Sequence, residues 1–464
     1  MFSSASRLLS KRTTLATATQ QPLHRFLSTT STRMALTQAQ IDIVKSTAPV
    51  LKEHGQTITT YFYRSMLGAH PELKNVFSLR NQQTGAQQKA LAGAVLAYAT
   101  YIDDLPKLHA AVERIAHKHA ALFIKPEQYA IVGEHLMKAI GAVLGEGLTP
   151  EIADAWGVAY QQLADVFINR EAELYKVPGE NVPMGWRKFR ISKRVEETPT
   201  VLSYFLEPVD GLTPLPKYLP GQYISLQVPV PQIEGLLQSR QFSLSEAPTP
   251  DGKYYRISVK REFTTPNASL EDIASGKITG LISNLLHDKY NEGDIVELSR
   301  PQGDFFVEVA DASKAEVPMV LLSAGVGVTP LRSILDTVLE SSESQMKTRP
   351  ISWIQASRDK TNAVFGKHIQ EITGAHDNVK AKIFLDKVSE ADVKGRDYDF
   401  AQELDLKVLD AEKDLFVNNK AAEYYICGPV EWMLGVRKAL EEMGVARERM
   451  NLELFGTGTV PEES

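Results

Sequence analysis

The chain reads as three domains in series: an all-α unit, an antiparallel β-barrel or sandwich, and an α/β unit on a parallel sheet. Three observations predict this order. Its 464 residues are too many for one ordinary core and suit several domains of ~100–200 residues each. Apolar residues keep helical spacing from Thr37 to about Tyr175, where strand signals are scarce. Past Gly185 the pattern becomes short alternating runs cut by Pro and Gly, and past Val317 it becomes strand followed by helix, repeated.

In the first region Thr37 suits a helix N-cap. Ile58, Tyr61, Phe62, Ser65 and Met66 then keep helical spacing, as do Leu91, Ala94, Val95 and Tyr98, and again Val112, Ile115 and His119. A turn-rich linker, Val177-Pro-Gly-Glu-Asn-Val-Pro183, closes the region. Tyr223–Val228 and Tyr254–Lys260 read as barrel strands. Met319–Ser323, Ile351–Gln355 and Tyr424–Ile426 read as buried strands of the parallel sheet. The expected domains are 34–177, 186–312 and 315–464.

Composition excludes several classes. The chain is 43% hydrophobic and 23% charged, with 51 Lys+Arg against 57 Asp+Glu. The resulting charge of −6 argues against nucleic acid as a partner. No run of 18 apolar residues appears, which argues against a membrane span. Cys427 is the only cysteine, so neither an intrachain disulfide nor a thiolate metal cage can form. Ten histidines remain as soft ligands. No obligate protein partner is inferred.

Residues 1–33 carry Arg7, Lys11, Arg12, Arg25 and Arg33 among many Ser and Thr, and the first acid is Asp42. That composition is the one expected of a mitochondrial transit peptide, which predicts a matrix location. A disordered basic tail is the alternative. Removing the five cations leaves 46 basic against 57 acidic side chains, a net charge of −11. Met34 opens a second reading, a shorter cytosolic product.

Ser323-Ala-Gly325-Val326-Gly327-Val328-Thr329-Pro330 follows a strand and opens a helix. Glycines there let backbone N–H groups approach a phosphate at a helix N-terminus. Thr329 suits a cap and Pro330 the first turn. A tight structural turn is the competing reading. Ser357-Arg358 after the second strand places a guanidinium where it could pair with a ribose 2′-phosphate, favouring NADPH over NADH, or it is a solvated surface pair. In the helical region an iron would need one inward nitrogen. His119 shares the stripe of Val112 and Ile115, while His117 and His109 fall off it and read as solvated. On pattern alone a structural histidine is the commoner outcome, and Tyr63, Phe77 and Leu91 singly read as core.

Motif order narrows these alternatives. Pro220-Gly-Gln-Tyr223, Arg240-Gln241-Phe242-Ser243, Gly280-Leu-Ile-Ser283, the glycine turn and Cys427-Gly428-Pro429 stand in the order of the ferredoxin–NADP reductase family, which they resemble. Ile115-Ala-His-Lys-His119, Tyr61-Phe-Tyr63-Arg, Pro71–Phe77, Gln87 with Leu91, Val166–Glu173 and Leu454-Phe455-Gly456-Thr457 extend the likeness. Nearly the whole chain after the leader resembles a fungal-type flavohemoglobin, an NO dioxygenase.

The resemblance implies haem b, FAD and NADPH (or NADH) as cofactors, and NO and O2 as small-molecule substrates, with nitrate as product. Electrons would pass from NAD(P)H to FAD to haem. His119 would ligate iron, with Tyr129 and Glu173 supporting it. Tyr63, assisted by Gln87, would hydrogen-bond the bound oxygen, Leu91 and Phe77 would shape the pocket, and Lys118 would lie between haem and flavin. Tyr223, Arg240 at the flavin phosphate, Gln241, Phe242 on the ring and Ser243 near N5 would hold FAD. Gly280, Ser283 and Leu454 to Thr457 would complete that site. Gly325 to Pro330, Ser357, Arg358 and Cys427 to Pro429 would take the nicotinamide nucleotide. The chain departs from the family at Phe242, where many members have Tyr, at Val328, where Gln is common, and at Leu454, where Cys or a similar small residue is frequent. A haem-based O2/NO sensor and a flavin reductase for external acceptors are the rival functions.

Overall fold

The computed structural model describes residues 36–176, 184–231, 233–262, 280–342, 344–456 and 458. The leader 1–33, the linker 177–183 and Thr457 lie outside the described residues.

The helical unit begins with α1 (Gln38–Ser46), whose capping box pairs Thr37 and Gln40 reciprocally. In α2 (Ala48–Ala69) the buried residues Leu51, Gly55, Ile58, Thr59, Phe62, Tyr63 and Met66 follow the helical repeat. Tyr61, expected on that stripe, is instead 37% exposed. One residue is a rotation of about 100°, so Phe62 and Tyr63 take the inward places. A turn at Pro71–Asn75 leads to α3 (Leu79–Thr84), α4 (Ala86–Tyr101), α5 (His109–Ala120), α6 (Pro126–Leu144) and α7 (Pro150–Leu174). Helix α6 crosses α7 closely at Gly133, where a Cβ would stand 2.5 Å from the Tyr160 ring. The Tyr160 hydroxyl uses that approach to donate to the Tyr129 carbonyl at 2.6 Å.

The second unit comprises β1 (Arg187–Thr198), β2 (Val201–Pro208), β3 (Tyr223–Pro229), β4 (Leu237–Ser243), β5 (Tyr255–Lys260) and β6 (Ile295–Leu298). They form one antiparallel sheet in the order β4-β3-β6-β1-β2-β5. A bridge between Leu244 and Ile257 joins its two ends. Phe189, Ile191, Leu206, Ile224 and Ile257 fill the interior together with Ile282 and Leu286 of the helix Leu281–Lys289.

The third unit is a parallel sheet of β7 (Met319–Ala324), β8 (Ile351–Ser357), β9 (Val379–Leu385), β10 (Glu423–Cys427) and β11 (Met450–Glu453), in the order β11-β10-β7-β8-β9. Alternate residues of β7 enter opposite cores, Met319 and Leu321 one, Val320 and Leu322 the other. Both faces are therefore covered, as the continuous apolar runs require. Strand order reverses at β7, so a crevice opens beyond its carboxyl end, between β8 and β10.

Candidate functional site

The residues expected from the sequence fall into three groups, and each is built by its element. In the helical unit α5 carries His119 one turn after Ile115. Its Nδ1 lies 2.8 Å from Glu171 Oε1 and 2.9 Å from the Tyr129 hydroxyl, which itself donates to Glu171 at 2.5 Å. Nδ1–H donates to the carboxylate, which leaves Nε2 as the nitrogen a metal would take. Burial and the Glu171 charge push the Tyr129 hydroxyl pKa up, so it stays a donor.

The acid here is Glu171, not Glu173 as expected. Ala164, Phe167 and Glu171 are buried at helical spacing along α7. Glu173 is turned by two residues, about 200°, and pairs with Arg170 at 3.3 Å. The stripe criterion that selects His119 would have selected Glu171 as well.

Across the unit, Tyr63 is buried in α2 and hydrogen-bonded to Gln87 of α4, and burial raises its hydroxyl pKa. Phe77 meets its ring edge-on, with centroids 5.4 Å apart. Leu91, Phe77, Ile115 and Val132 are partly buried apolar groups on the same core. Among the described residues no group of three His, Cys, Asp or Glu is arranged around a metal. A haem needs only an axial nitrogen, since its porphyrin supplies the other donors. A lone imidazole backed by a carboxylate, a buried tyrosine and an apolar lining fit that group.

In the barrel, β3 pairs β4 so that Tyr223 stands opposite Ser243 and Leu226 opposite Arg240. Strand alternation puts Arg240 and Phe242 on one face, Gln241 and Ser243 on the other. Arg240 donates to the carbonyl of Ser239 at 2.6 Å, and burial pushes its guanidinium down to about 10. A desolvated cation of this kind fits an anionic ligand such as a flavin phosphate. Gly280, in the left-handed region at φ 67°, caps the helix Leu281–Lys289. The Ser283 hydroxyl donates to the Gly280 carbonyl at 3.0 Å, so this turn has the plain capping role within the chain itself.

At the crevice of the parallel sheet, Gly325 has φ 55° and opens the turn into the helix Val328–Glu340. Gly327 packs so tightly that a Cβ would lie 2.1 Å from the Cys427 carbonyl. That contact joins the glycine turn to the Cys427-Gly428-Pro429 loop. The expectations for four residues change in detail. Thr329 is not the cap: it lies in the first turn and its hydroxyl donates back to Val326 O at 3.0 Å. Val328 is fully buried in the apolar core, as is Cys427, so neither side chain faces a nucleotide and only their backbones could. Leu454 likewise enters the core of this unit, whereas Phe455 beside it is 46% exposed, free to stack. At the ends of β7 and β8 the hydroxyls of Ser323 and Ser357 are buried without a partner. Arg358 next to Ser357 is exposed, and its carbonyl accepts from Lys387 N–H at 2.8 Å.

The three units converge on α5. His117, expected to be solvated, is only 7% exposed. Its Nδ1 lies 2.8 Å from Gln302 Oε1 and 3.2 Å from Gly303 N. His109 is exposed, as read. Lys118 Nζ donates to the carbonyl of Gly456, and Arg114 stands 3.7 Å from Asp304. Burial lowers the Lys118 pKa, while burial and Asp304 push Glu453 up to about 8. The barrel loop 302–304 and Glu453 had no signal in sequence, because their partners on α5 are more than a hundred residues away.

Fold and site together define a globin joined to a reductase. A globin family profile matches residues 60–167, and an oxidoreductase NAD-binding domain profile matches residues 321–438. The flavohemoprotein of Bordetella pertussis is 44% identical over 420 residues, 90% of this chain and 98% of that protein. The flavohemoprotein of Rhizobium meliloti is 42% identical over 426 residues, 91% and 98% of the two chains. A flavohemoglobin from Malassezia yamatoensis, solved with bound FAD and haem, superposes with a TM-score of 0.75 at 29% identity, covering 91% of this chain and all of that one. The chain belongs to the flavohemoprotein family.

Proposed function

We propose that this protein is a nitric oxide dioxygenase that converts NO and O2 to nitrate at the expense of NAD(P)H, with haem b and FAD as cofactors. The observation that carries the reading is the pairing of two features in one helical unit: a proximal imidazole held by Glu171 and Tyr129, and a buried distal tyrosine, Tyr63, with Gln87 beside it. When bound, the nicotinamide would supply hydride, the flavin would divide it into single electrons, and the haem iron would bind O2 and accept them.

The chain's own residues do the remainder. Glu171 accepts the Nδ1 proton of His119 and makes Nε2 a more basic ligand. Tyr63 keeps its proton because its site is desolvated, so it is a hydrogen-bond donor at any physiological pH. Gln87 orients that hydroxyl, while Phe77 and Leu91 keep the surroundings apolar and open to small uncharged gases. Arg240 neutralises phosphate, and Phe242 on the same strand face offers a ring for stacking. The backbone at Gly325–Gly327 would hold the nucleotide, and Arg358 would pair with a ribose 2′-phosphate where the nucleotide carries one.

The test is aerobic NO consumption by purified protein loaded with haem and FAD, with NADPH supplied and nitrate counted. The expected result is two nitrates per NADPH, lost when O2 is omitted. NADPH oxidation without nitrate would instead assign the reductase to another acceptor. NO binding without turnover would favour a sensor.

A further inference from the structure

The turn between α2 and α3, residues Pro71–Leu79, is held from outside its own unit. Gln238 of β4 is 1% exposed. Its Nε2 donates to the carbonyls of Lys74 at 2.9 Å and Phe77 at 3.3 Å, and its Oε1 accepts from Leu79 N–H at 3.1 Å. One side chain of the barrel thus binds three backbone groups of one helical-unit turn. The neighbouring Leu237 N–H donates to Asn75 Oδ1 at 2.9 Å. Leu79 itself packs with Val230 and Leu236 of the barrel. A connecting turn ordinarily satisfies such groups with water; here a desolvated amide replaces it, so the turn has few alternatives.

Two further facts give this clamp a direction. Phe77, whose carbonyl Gln238 holds, is the ring that meets Tyr63 edge-on at 5.4 Å. Strand alternation also puts Gln238 on the same face of β4 as Arg240 and Phe242. One strand face therefore carries two of the residues expected at the flavin, Arg240 and Phe242, and the residue that fixes the distal turn.

We infer that Gln238 is a positioning residue through which the flavin-side barrel sets the geometry of the distal pocket, holding Phe77 and thereby the Tyr63 hydroxyl. The inference rests on the haem reading above and adds to it a regulation of the same site. Loss of the clamp frees the Lys74–Leu79 turn, lets the Phe77 ring reorient, and would loosen the placement of the Tyr63 hydroxyl as a donor toward a haem ligand. The hydride half of the chemistry, at Arg240 and beyond, is left as it was.

The experiment uses the full chain with haem and FAD bound and compares wild type with Gln238→Ala in three readouts. Hydrogen exchange over Pro71–Thr84 should accelerate at least roughly five- to thirty-fold, as loss of the three hydrogen bonds from Gln238 dictates. The C–O stretch of carbon monoxide on ferrous haem should move toward the frequency of Tyr63→Phe, while NADPH-driven flavin reduction keeps its rate. Faster exchange with an unmoved C–O band would overturn the inference, and so would unchanged exchange. Should Gln238→Ala fail to fold, Gln238→Glu serves. It keeps the acceptor for Leu79 N–H but turns a carboxylate toward the Lys74 and Phe77 carbonyls, and it must move the same band. A wild-type protein without a ferrous–CO spectrum would sink the haem reading and this inference together. A normal wild-type spectrum that neither variant shifts would sink this inference alone.

Discussion

Glu171 and Glu173 differ by two positions and have opposite fates, which makes them a sharp pair of probes. Glu171 is buried against His119 and Tyr129, whereas Glu173 pairs with Arg170 near the surface. Glu171→Gln should lower NO turnover by ~10–100-fold, the usual cost of losing a partner behind a metal ligand. Glu173→Gln should leave it nearly unchanged; the reverse ranking, measured as NO consumption under NADPH, would refute the assignment. Glu453 supplies a second probe, through pH. Its carboxyl is held up at about 8 against an ordinary 4.5, so the folded chain keeps a proton that the unfolded chain releases. Stability from this group is complete below about 4.5, falls as pH rises, and is gone above about 8. Glu453→Gln should flatten that part of the thermal midpoint against pH, and a profile that keeps its slope would exclude the carboxyl as its source. At this scale the sequence was legible where one residue sits on an apolar stripe, as His119 does. It misled where a motif was matched without turning the helix, at Glu173, or where burial comes from another domain, at His117.

Elements were more legible than residues, because periodicity is a property of many positions at once. The N-cap at Thr37, the short runs of β3 and β5 and the apolar runs of β7 and β8 each specify their element, and each element is found, although β3 and β5 are buried along nearly their whole length rather than at alternate residues. What periodicity could not give is how closely two elements approach. Helices α6 and α7 meet at Gly133, and the Tyr160 ring that fills the vacant Cβ space also anchors the Tyr129 backbone. Gly133→Ala should therefore cost about 1–3 kcal/mol through overpacking, read as a lower urea midpoint of the Soret band. It should also weaken the proximal support by drawing Tyr160 off Tyr129. A variant with wild-type midpoint would mean the ring yields freely. Thr329 shows the converse error: its residue type suits a cap, but the helix had already begun with Val328.

Taken whole, the molecule places α5 of the helical unit against the barrel loop at Gln302–Asp304 and against Gly456, just after β11. The order of the three units was readable from pattern, but this convergence was not, since contacts between distant segments leave no local trace. The leader carries a prediction of its own. We propose that residues 1–33 direct import into mitochondria. Incubated with isolated energised mitochondria, the full chain should become protease-protected and shorter, and a chain starting at Met34 should stay outside; equal behaviour of the two would reject the proposal. The docking at β4 has one more consequence. The Leu244–Ile257 bridge closes the barrel only past the end of β4, and among the described residues no strand pairs with the rest of its outer edge, which is a template for pairing with other molecules. Asn75 occupies the Leu237 N–H on that strand and Leu79 covers the apolar residues beside it. The helical unit therefore also serves as a guard against self-association, and a reductase half expressed without it should aggregate along this edge.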